Sequence, residues 1–158
     1  MRVYIPASVS AGLPGLPLTH VPVAAAGSTV WGIEAAELTA LRPDDAEELE
    51  FTAMQEAVLV TAERQVQANA SNDHRVAIIA ADIPDHASVP ASAGDHARTL
   101  RAEEPIRIVS LHVSELNAQA ILADEYAPDL LWFDPSELEE ARAYAAGADG
   151  EPGQVSAH

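Results

Sequence analysis

The sequence has no cysteine, few aromatic residues and only 8 basic residues against 25 acidic ones. Without cysteine the chain can form no disulfide, no cysteine zinc site and no iron–sulfur centre, and it has no thiol nucleophile. The formal net charge of −17 repels nucleic acid and anionic membrane surfaces, so we expect neither as a ligand. A charge of this sign favours solubility or a basic protein partner.

Long apolar runs and targeting signals are also missing. The longest apolar runs, around residues 76–81 and 106–113, fall short of the roughly 18 residues that a membrane-spanning helix needs. Pro6 interrupts the stretch in which a signal peptide would carry its apolar segment. We therefore expect no membrane span and a cytoplasmic location, with which the absence of cysteine is compatible.

The longest periodic segment runs from Asp44 to Gln67 and predicts a helix. Asp44 is followed three positions later by Glu47, which is the spacing of a capping box at a helix start. One broad arc of the helix is apolar and the other is polar. The apolar arc contains Ala46, Leu49, Phe51, Ala53, Met54, Ala57, Val58 and Val60. An arc this wide indicates a helix that lies across a sheet.

Five shorter segments have the composition of strands, namely 2–5, 28–33, 74–82, 106–113 and 129–133. Short helices are predicted at 34–41, at 114–123 with Ser114 as the N-cap, and at 135–146 with Gly147 as the stop. Glycine and proline predict a loop at 7–28, with one helical turn near 8–11, and a turn at 69–73. Residues 84–105 have no stable period and predict a loop that is either disordered or functional.

These segments predict an α+β fold in which helices cover mainly one face of a sheet. The strand–helix–strand segment 106–133 has the length of a crossover between parallel strands, whereas strands 74–82 and 106–113 are expected to be antiparallel. The prediction is a two-layer sandwich with a mixed sheet of about five strands and a long central helix, in one domain at 1–147 with a disordered tail at 148–158. A three-layer α/β sheet is the alternative.

Three stretches resemble the signature segments of a known family: residues 1–7 (MRVYIPA), 47–57 (EELEFTAMQEA) and 130–134 (LLWFD). They are similar to the DUF6912-like family of uncharacterised actinobacterial proteins. The resemblance spans most of residues 1–134 and is weakest at 8–28, where this chain carries glycine and proline. It implies no reaction, cofactor or partner.

Two carboxylates on the predicted central helix are the candidate site residues. Glu50 lies near the middle of the apolar arc and Glu47 borders it. A buried carboxylate must be paired, hydrogen-bonded or protonated, because an unpaired buried charge costs several kcal/mol. In one interpretation the first turn of the helix extends past the sheet, so that both carboxylates reach solvent or an arginine such as Arg2 or Arg107. In the other they line a pocket at the sheet edge, together with Tyr4 and Asp134.

The remaining candidates have structural explanations of their own. Trp132 and Phe133 point to opposite faces of the last strand, and both are expected in the core. Asp134 and Glu137 have the spacing of a second capping box. By the alternation of side chains along a strand, His112 shares a face with Ile106, Ile108 and Ser110, and it is expected to be a hydrogen-bonded core or edge histidine. Neither His86 nor His96 belongs to a ligand pattern, so no metal site and no cofactor are predicted.

No nucleophile–base motif and no phosphate-binding loop stands in the sequence. We therefore expect a small cytoplasmic acidic module that interacts with or regulates a basic protein partner, or that pairs its sheet edge with a second copy of itself. The alternative is a small-molecule-binding protein or enzyme with a carboxylate site around Glu47 and Glu50. Tyr4, Trp132 and Asp134 are the further binding residues that this alternative predicts.

Overall fold

The computed structural model describes residues 1–7, 23–24, 26–68, 74–92, 94–124 and 129–147. The helical turn predicted near 8–11, the turn predicted at 69–73 and the disordered tail predicted at 148–158 lie outside the described part of the chain, as does most of the loop predicted at 7–28.

The described strands form one sheet of seven strands and a separate pair. In chain order they are β1 (Arg2–Ala7), β2 (Val23–Ala24), β3 (Thr29–Gly32), β4 (Arg75–Asp82), β5 (Ser88–Pro90), β6 (Ala97–Leu100), β7 (Glu104–Pro105), β8 (Arg107–Asn117) and β9 (Leu130–Phe133). The order across the large sheet is β5-β6-β3-β1-β4-β8-β9, and β2 pairs with β7. All of these pairs are antiparallel. The α+β class is as predicted, but the mixed sheet of about five strands is wrong.

The pair β8 and β9 was expected to be parallel and is antiparallel, with Leu111 opposite Phe133 and Ser114 opposite Leu130. The helix between them, α3 (Ala118–Ala123), has only six residues. Six helical residues extend about 9 Å, whereas the 11 residues of β8 extend about 36 Å. The chain therefore turns back beside the end of β8 and does not return to its beginning.

The segment predicted as a loop at 84–105 contains the edge of the sheet. It holds β5, β6 and β7, and Ala97 and Leu100 are buried. The expectation of a loop without regular structure is wrong. These strands are too short to show a period in the sequence, and their stability depends on distant partners. Trp31 of β3 lies opposite Ala97, and Thr29 lies opposite Thr99.

The helices are α1 (Ala35–Thr39), α2 (Pro43–Gln67), α3, and α4 (Leu138–Ala145), which follows a 3-10 turn at Pro135–Glu137. None of these described helices combines the length and the apolar character that crossing a bilayer requires. Gly147 has a φ of +94°, which suits the left-handed turn after a helix end, and α4 ends two residues before it.

Two of the three predicted helix caps are wrong. The N-cap of α2 is Arg42, so Asp44 lies inside the first turn and stabilises the positive end of the helix dipole there. The capping box predicted for Asp44 and Glu47 is therefore wrong. The N-cap of α3 is Asn117, whose side chain accepts a hydrogen bond from the Ala120 amide at 2.8 Å, and Ser114 lies within β8.

Helices lie against both faces of the large sheet. On the face that we call the α2 face, α2 and α3 pack on Tyr4, Trp31 and Ile78. On the opposite face, the α4 face, α4 packs with Val113 and Phe133. Helices thus cover part of each face, where the two-layer prediction placed them mainly on one.

Candidate functional site

Six polar side chains gather on the α2 face near the N-terminal half of α2. We call them the polar cluster: Arg2, Tyr4, Glu50, Asp82, Ser110 and His112. Strand register places Arg2 opposite Asp82, and it places Tyr4 and Ser110 on either side of Ala80. The charge of Glu50 acts on both Arg2 and Tyr4, which brings the helix into the same group.

The floor of the polar cluster is buried and its rim is partly exposed. Tyr4 and Ser110 are only 7% and 4% exposed. Between them in the sheet, Ala80 contributes a single methyl group. The other four side chains are half-buried, so solvent reaches the cluster from their side.

A bulge in β8 decides which face carries Ser110 and His112. Ser110 lies opposite Ala80 while Ile108 lies opposite the next residue, Ala81, so Val109 is an extra residue in β8. The extra residue moves Ile108 to the core on the α4 face and leaves Ser110 and His112 on the α2 face. The expectation that His112 shares a face with Ile106 and Ile108 is therefore wrong.

Ser110 and His112 share a hydrogen bond. Ser110 Oγ lies 2.8 Å from His112 Nε2, and the direction of the bond depends on the imidazole tautomer. Burial lowers the pKa of His112 to about 4, and the positive charge of Arg2 contributes in the same direction. The imidazole is therefore neutral at neutral pH.

Tyr4 is a neutral phenol in this setting. Its pKa is raised to about 12, chiefly by burial and also by the negative charge of Glu50, while Arg2 acts in the opposite direction. A phenol that stays protonated offers a hydrogen-bond donor as well as an acceptor.

Arg2 is already paired within the polar cluster. Its Nε donates to Asp82 Oδ1 at 2.7 Å, and this hydrogen bond is the main reason why the pKa of Arg2 is raised. The pair is half-exposed, and pairs of this kind contribute about 0.2–1 kcal/mol to stability. Its local effect is that Asp82 compensates the guanidinium charge.

Glu50 is left without such a partner. Within the part of the chain that the structure describes, its carboxylate makes no hydrogen bond and no ion pair, although it is half-buried. Arg2 pairs with Asp82 instead, and Arg107, the other arginine considered as a partner, is exposed at the start of β8. Glu50 therefore brings to the polar cluster a carboxylate that no direct contact pairs, and Arg2 acts on it only through its charge at longer range.

The other predicted site residues have different positions. Glu47 is exposed on the first turns of α2. Asp134 and Glu137 form the predicted capping box, with Glu137 Oε1 accepting from the Asp134 amide at 3.0 Å. Trp132 is not in the core, since it is 63% exposed on the α2 face opposite His112, whereas Phe133 is 2% exposed. The structure thus brings Tyr4 and Glu50 together, places Trp132 opposite His112 on β9, and leaves Glu47 and Asp134 apart.

Sequence reasoning missed Asp82, Ser110 and His112 as members of one site. A weak signal was present, because Ser110 and His112 stand two residues apart in a strand and so share a face. Nothing local in the sequence indicated that β1 and β8 lie on either side of β4. That neighbourhood comes from pairing between distant segments.

The polar cluster has the groups for binding more clearly than for catalysis. A serine hydrogen-bonded to a histidine is the first half of a nucleophile–base arrangement. A histidine with a pKa of about 4 is a weak base at neutral pH, however, and Ser110 is almost completely buried. Among the described residues, no three side chains of histidine, aspartate or glutamate come together as they would around a metal ion.

Comparisons with known proteins identify a family for this chain and no function. No curated protein and no solved structure gives a significant match. A family model described as "Family of unknown function (DUF6912)" matches residues 1–141, which include every member of the polar cluster. The chain therefore belongs to the DUF6912 family.

Proposed function

We propose that the protein binds a small molecule at the polar cluster. The observation that carries the proposal is the hydrogen-bonded pair of Ser110 and His112, which lies on the sheet face under α2, with Tyr4 on the other side of Ala80 from Ser110. Sheet faces under a helix are normally filled by apolar side chains. Polar groups that converge there, two of them with strongly shifted pKa values, are the usual mark of a binding site.

The chemistry of the cluster suits a ligand with hydrogen-bonding groups. Tyr4 and Ser110 can each donate or accept, and neutral His112 offers one donor and one acceptor nitrogen. Because the strands hold these groups, little side-chain freedom remains to be lost when a ligand binds. A carboxylate from α2, Glu50, completes the set.

Nuclear magnetic resonance of the isotope-labelled protein tests the proposal with a library of small polar metabolites. We expect binders to shift the backbone amides of Tyr4, Ser110 and His112. Replacing Ser110 by alanine removes one hydrogen bond and should weaken binding about tenfold. Ser136→Ala, an exposed position before α4, is the matched control and should not change the affinity.

Two results would overturn the proposal. In one, every binder shifts amides in another region, for example around Glu56 and His96. In the other, Ser110→Ala retains the native fold and binds as tightly as the unmodified protein. Circular dichroism of each variant separates a lost hydrogen bond from a lost fold.

A different observation supports a second function, that of an acidic module that binds a basic protein. Trp132 is 63% exposed on β9, which is the last strand at one edge of the described sheet. Exposed tryptophan is frequent where proteins bind other proteins, and an unpaired strand edge can accept another strand. The net charge of −17 favours a basic partner over a second copy of the chain, because two copies repel each other.

Affinity capture from the native host at low and high salt tests this second function. A basic partner should be recovered at low salt and lost at high salt, and Trp132→Ala should abolish the capture. Leu122→Ala, which removes another exposed apolar side chain, should leave it unchanged. Capture of no partner together with a monomer in light scattering would contradict both the partner and the homodimer.

We also make a proposal about the location and the host of the protein. We infer a cytoplasmic protein of an actinobacterial host, supported by the absence of cysteine and by the composition. Fractionation of host cells with an antibody against the chain tests the location.

A further inference from the structure

We propose that the ligand of the polar cluster is an organic amine, a cation whose carbon skeleton packs on the exposed aromatic side chains next to the cluster. This inference rests on the proposed small-molecule function and names the chemical class of the ligand. It is carried by the unpaired carboxylate of Glu50 and by the positions of Trp132 and Phe51.

The charges within the cluster favour a ligand with one positive charge. Arg2 and Asp82 compensate each other through their 2.7 Å contact, while Tyr4 and His112 are uncharged at neutral pH. The Glu50 carboxylate is then the one charged group of the cluster that makes no hydrogen bond and no ion pair among the described residues. An ammonium group can supply that partner and donate hydrogen bonds to the carboxylate.

The electrostatic field of the whole protein also favours a positively charged ligand. With a net charge of −17, the surface raises the local concentration of cations and lowers that of anions. A carboxylate or phosphate ligand would meet Glu50 with no unpaired cation among the described members of the polar cluster, because Arg2 already pairs with Asp82. A divalent metal ion is disfavoured as well, since oxygen-liganded ions usually take several protein or water oxygens and the cluster has one free carboxylate.

Two exposed aromatic rings give the ligand an apolar surface. Trp132 lies opposite His112 on the α2 face and is 63% exposed. Phe51 directly follows Glu50 and is 51% exposed, although it lies on the same side of α2 as the buried residues Val58 and Ala62. The helix α3 packs against α2, and its buried residues Ala118 and Ile121 belong to the same core cluster as Val58 and Ala62. Aromatic faces bind hydrocarbon and also attract cations.

Matched ligands test the charge requirement directly. We would titrate the full chain with three aryl or cycloalkyl amines (phenethylamine, tyramine and cyclohexylmethylamine), each beside its alcohol and carboxylate counterpart. Backbone amide shifts report the site, and tryptophan emission reports contact with Trp132, because Trp31 is fully buried. We expect the amines alone to shift Tyr4 and Ser110 and to change the emission.

Two isosteric variants on one helix separate a specific contact from the general field. Glu50→Gln and Glu47→Gln remove the same charge three residues apart, so they change the net charge equally. We expect Glu50→Gln to weaken amine binding at least tenfold and Glu47→Gln to change it less than twofold. Trp132→Ala, a change at an exposed position, should weaken binding and remove the emission change.

The outcomes distinguish this inference from the proposed function. If alcohols or carboxylates bind the polar cluster and amines do not, or if Glu50→Gln binds amines as tightly as Glu47→Gln, the amine inference is wrong and the binding site stands. If no compound of any class shifts the amides of the cluster, both are wrong. Equal weakening by the two glutamine variants would mean that only the general field attracts the amine, and it would also overturn the inference.

Discussion

Ser114 Oγ accepts a hydrogen bond from the backbone amide of Val76 at 2.9 Å, at the point where the pairing between β4 and β8 is interrupted. The same hydroxyl donates to the Leu116 carbonyl at 2.6 Å. Both Ser114 and Val76 are fully buried. The serine side chain thus takes the place of a backbone carbonyl in the sheet, because a buried amide without an acceptor is costly.

Replacement of Ser114 by alanine should therefore destabilise the protein. The variant leaves the Val76 amide buried without its acceptor, which costs about 1–3 kcal/mol of unfolding free energy. Urea denaturation of the variant and of Ser136→Ala, an exposed control, measures the difference. Equal midpoints for the two variants would contradict the role assigned to Ser114.

His112 should make stability depend on pH. Its folded-state pKa of about 4 lies below the ordinary value of 6.5, so the unfolded chain binds a proton first as the pH falls. The contribution of His112 is fully present above pH 6.5 and is lost progressively as the pH falls towards 4. Between these limits the unfolding free energy should fall by at most about 1.4 kcal/mol per pH unit from this group.

Denaturation series across this pH range, for the unmodified protein and for His112→Gln, check the prediction. The variant should show a shallower decrease, because glutamine does not titrate. His86→Gln, which replaces an exposed imidazole, is the control. Parallel curves for the protein and His112→Gln would show that His112 does not carry the effect.

Glu50→Gln should lower the pKa of Tyr4 with little effect on stability. The negative charge of Glu50 is one cause of the raised pKa, so its removal makes the phenol easier to ionise. Because Glu50 makes no ion pair within the described residues, we expect melting at pH 7 to change by less than about 0.5 kcal/mol or to rise slightly.

Phenolate absorbance after rapid mixing to alkaline pH measures the first effect, and thermal melts measure the second. Glu47→Gln should change neither. A clear loss of stability in Glu50→Gln would mean that the carboxylate is a structural one, and it would argue against a binding role.

Gly32 should tolerate no side chain. A Cβ added there would lie 2.7 Å from the Arg2 carbonyl oxygen and 2.9 Å from Val3 Cγ1, on the neighbouring strand β1. Since backbone cannot move as a side-chain tip can, Gly32→Ala should cost about 1–3 kcal/mol. At Gly94 the same change meets the flexible end of Glu56, so Gly94→Ala is the milder comparison in urea denaturation. An equal or greater loss for Gly94→Ala would contradict this reasoning.

The parts of the fold that depend on local sequence patterns could be predicted from the sequence. The helix at 43–67 and the strand at 75–82 are long enough to show their periods, and Asp134 with Glu137 forms a local capping motif. The strands at 88–90 and 97–100 are too short to show such a pattern. Residues 97–100 are stabilised by pairing with β3, and residues 88–90 by pairing with residues 97–100. Local propensity is overridden there by contacts between distant residues.

The residues of the candidate site likewise differ in whether the local sequence could predict them. Glu50 was identifiable because a carboxylate interrupts an apolar arc, which is a local feature. Ser110 and His112 became part of the site only through the order of β1, β4 and β8 in the sheet. Ser114 was mistaken for a helix cap because a serine before an alanine-rich segment looks the same whether it caps a helix or replaces a sheet carbonyl.

The single extra residue at Val109 determines which side chains of β8 lie on each face of the sheet. Upstream of the bulge, even-numbered positions of β8 such as Ile108 face α4, and downstream of it even-numbered positions such as Ser110 face α2. Deleting one residue there would restore a regular ladder and exchange the faces of everything on one side of the deletion. An insertion or deletion at this point in a relative would therefore create or erase the polar cluster without changing any of its side chains.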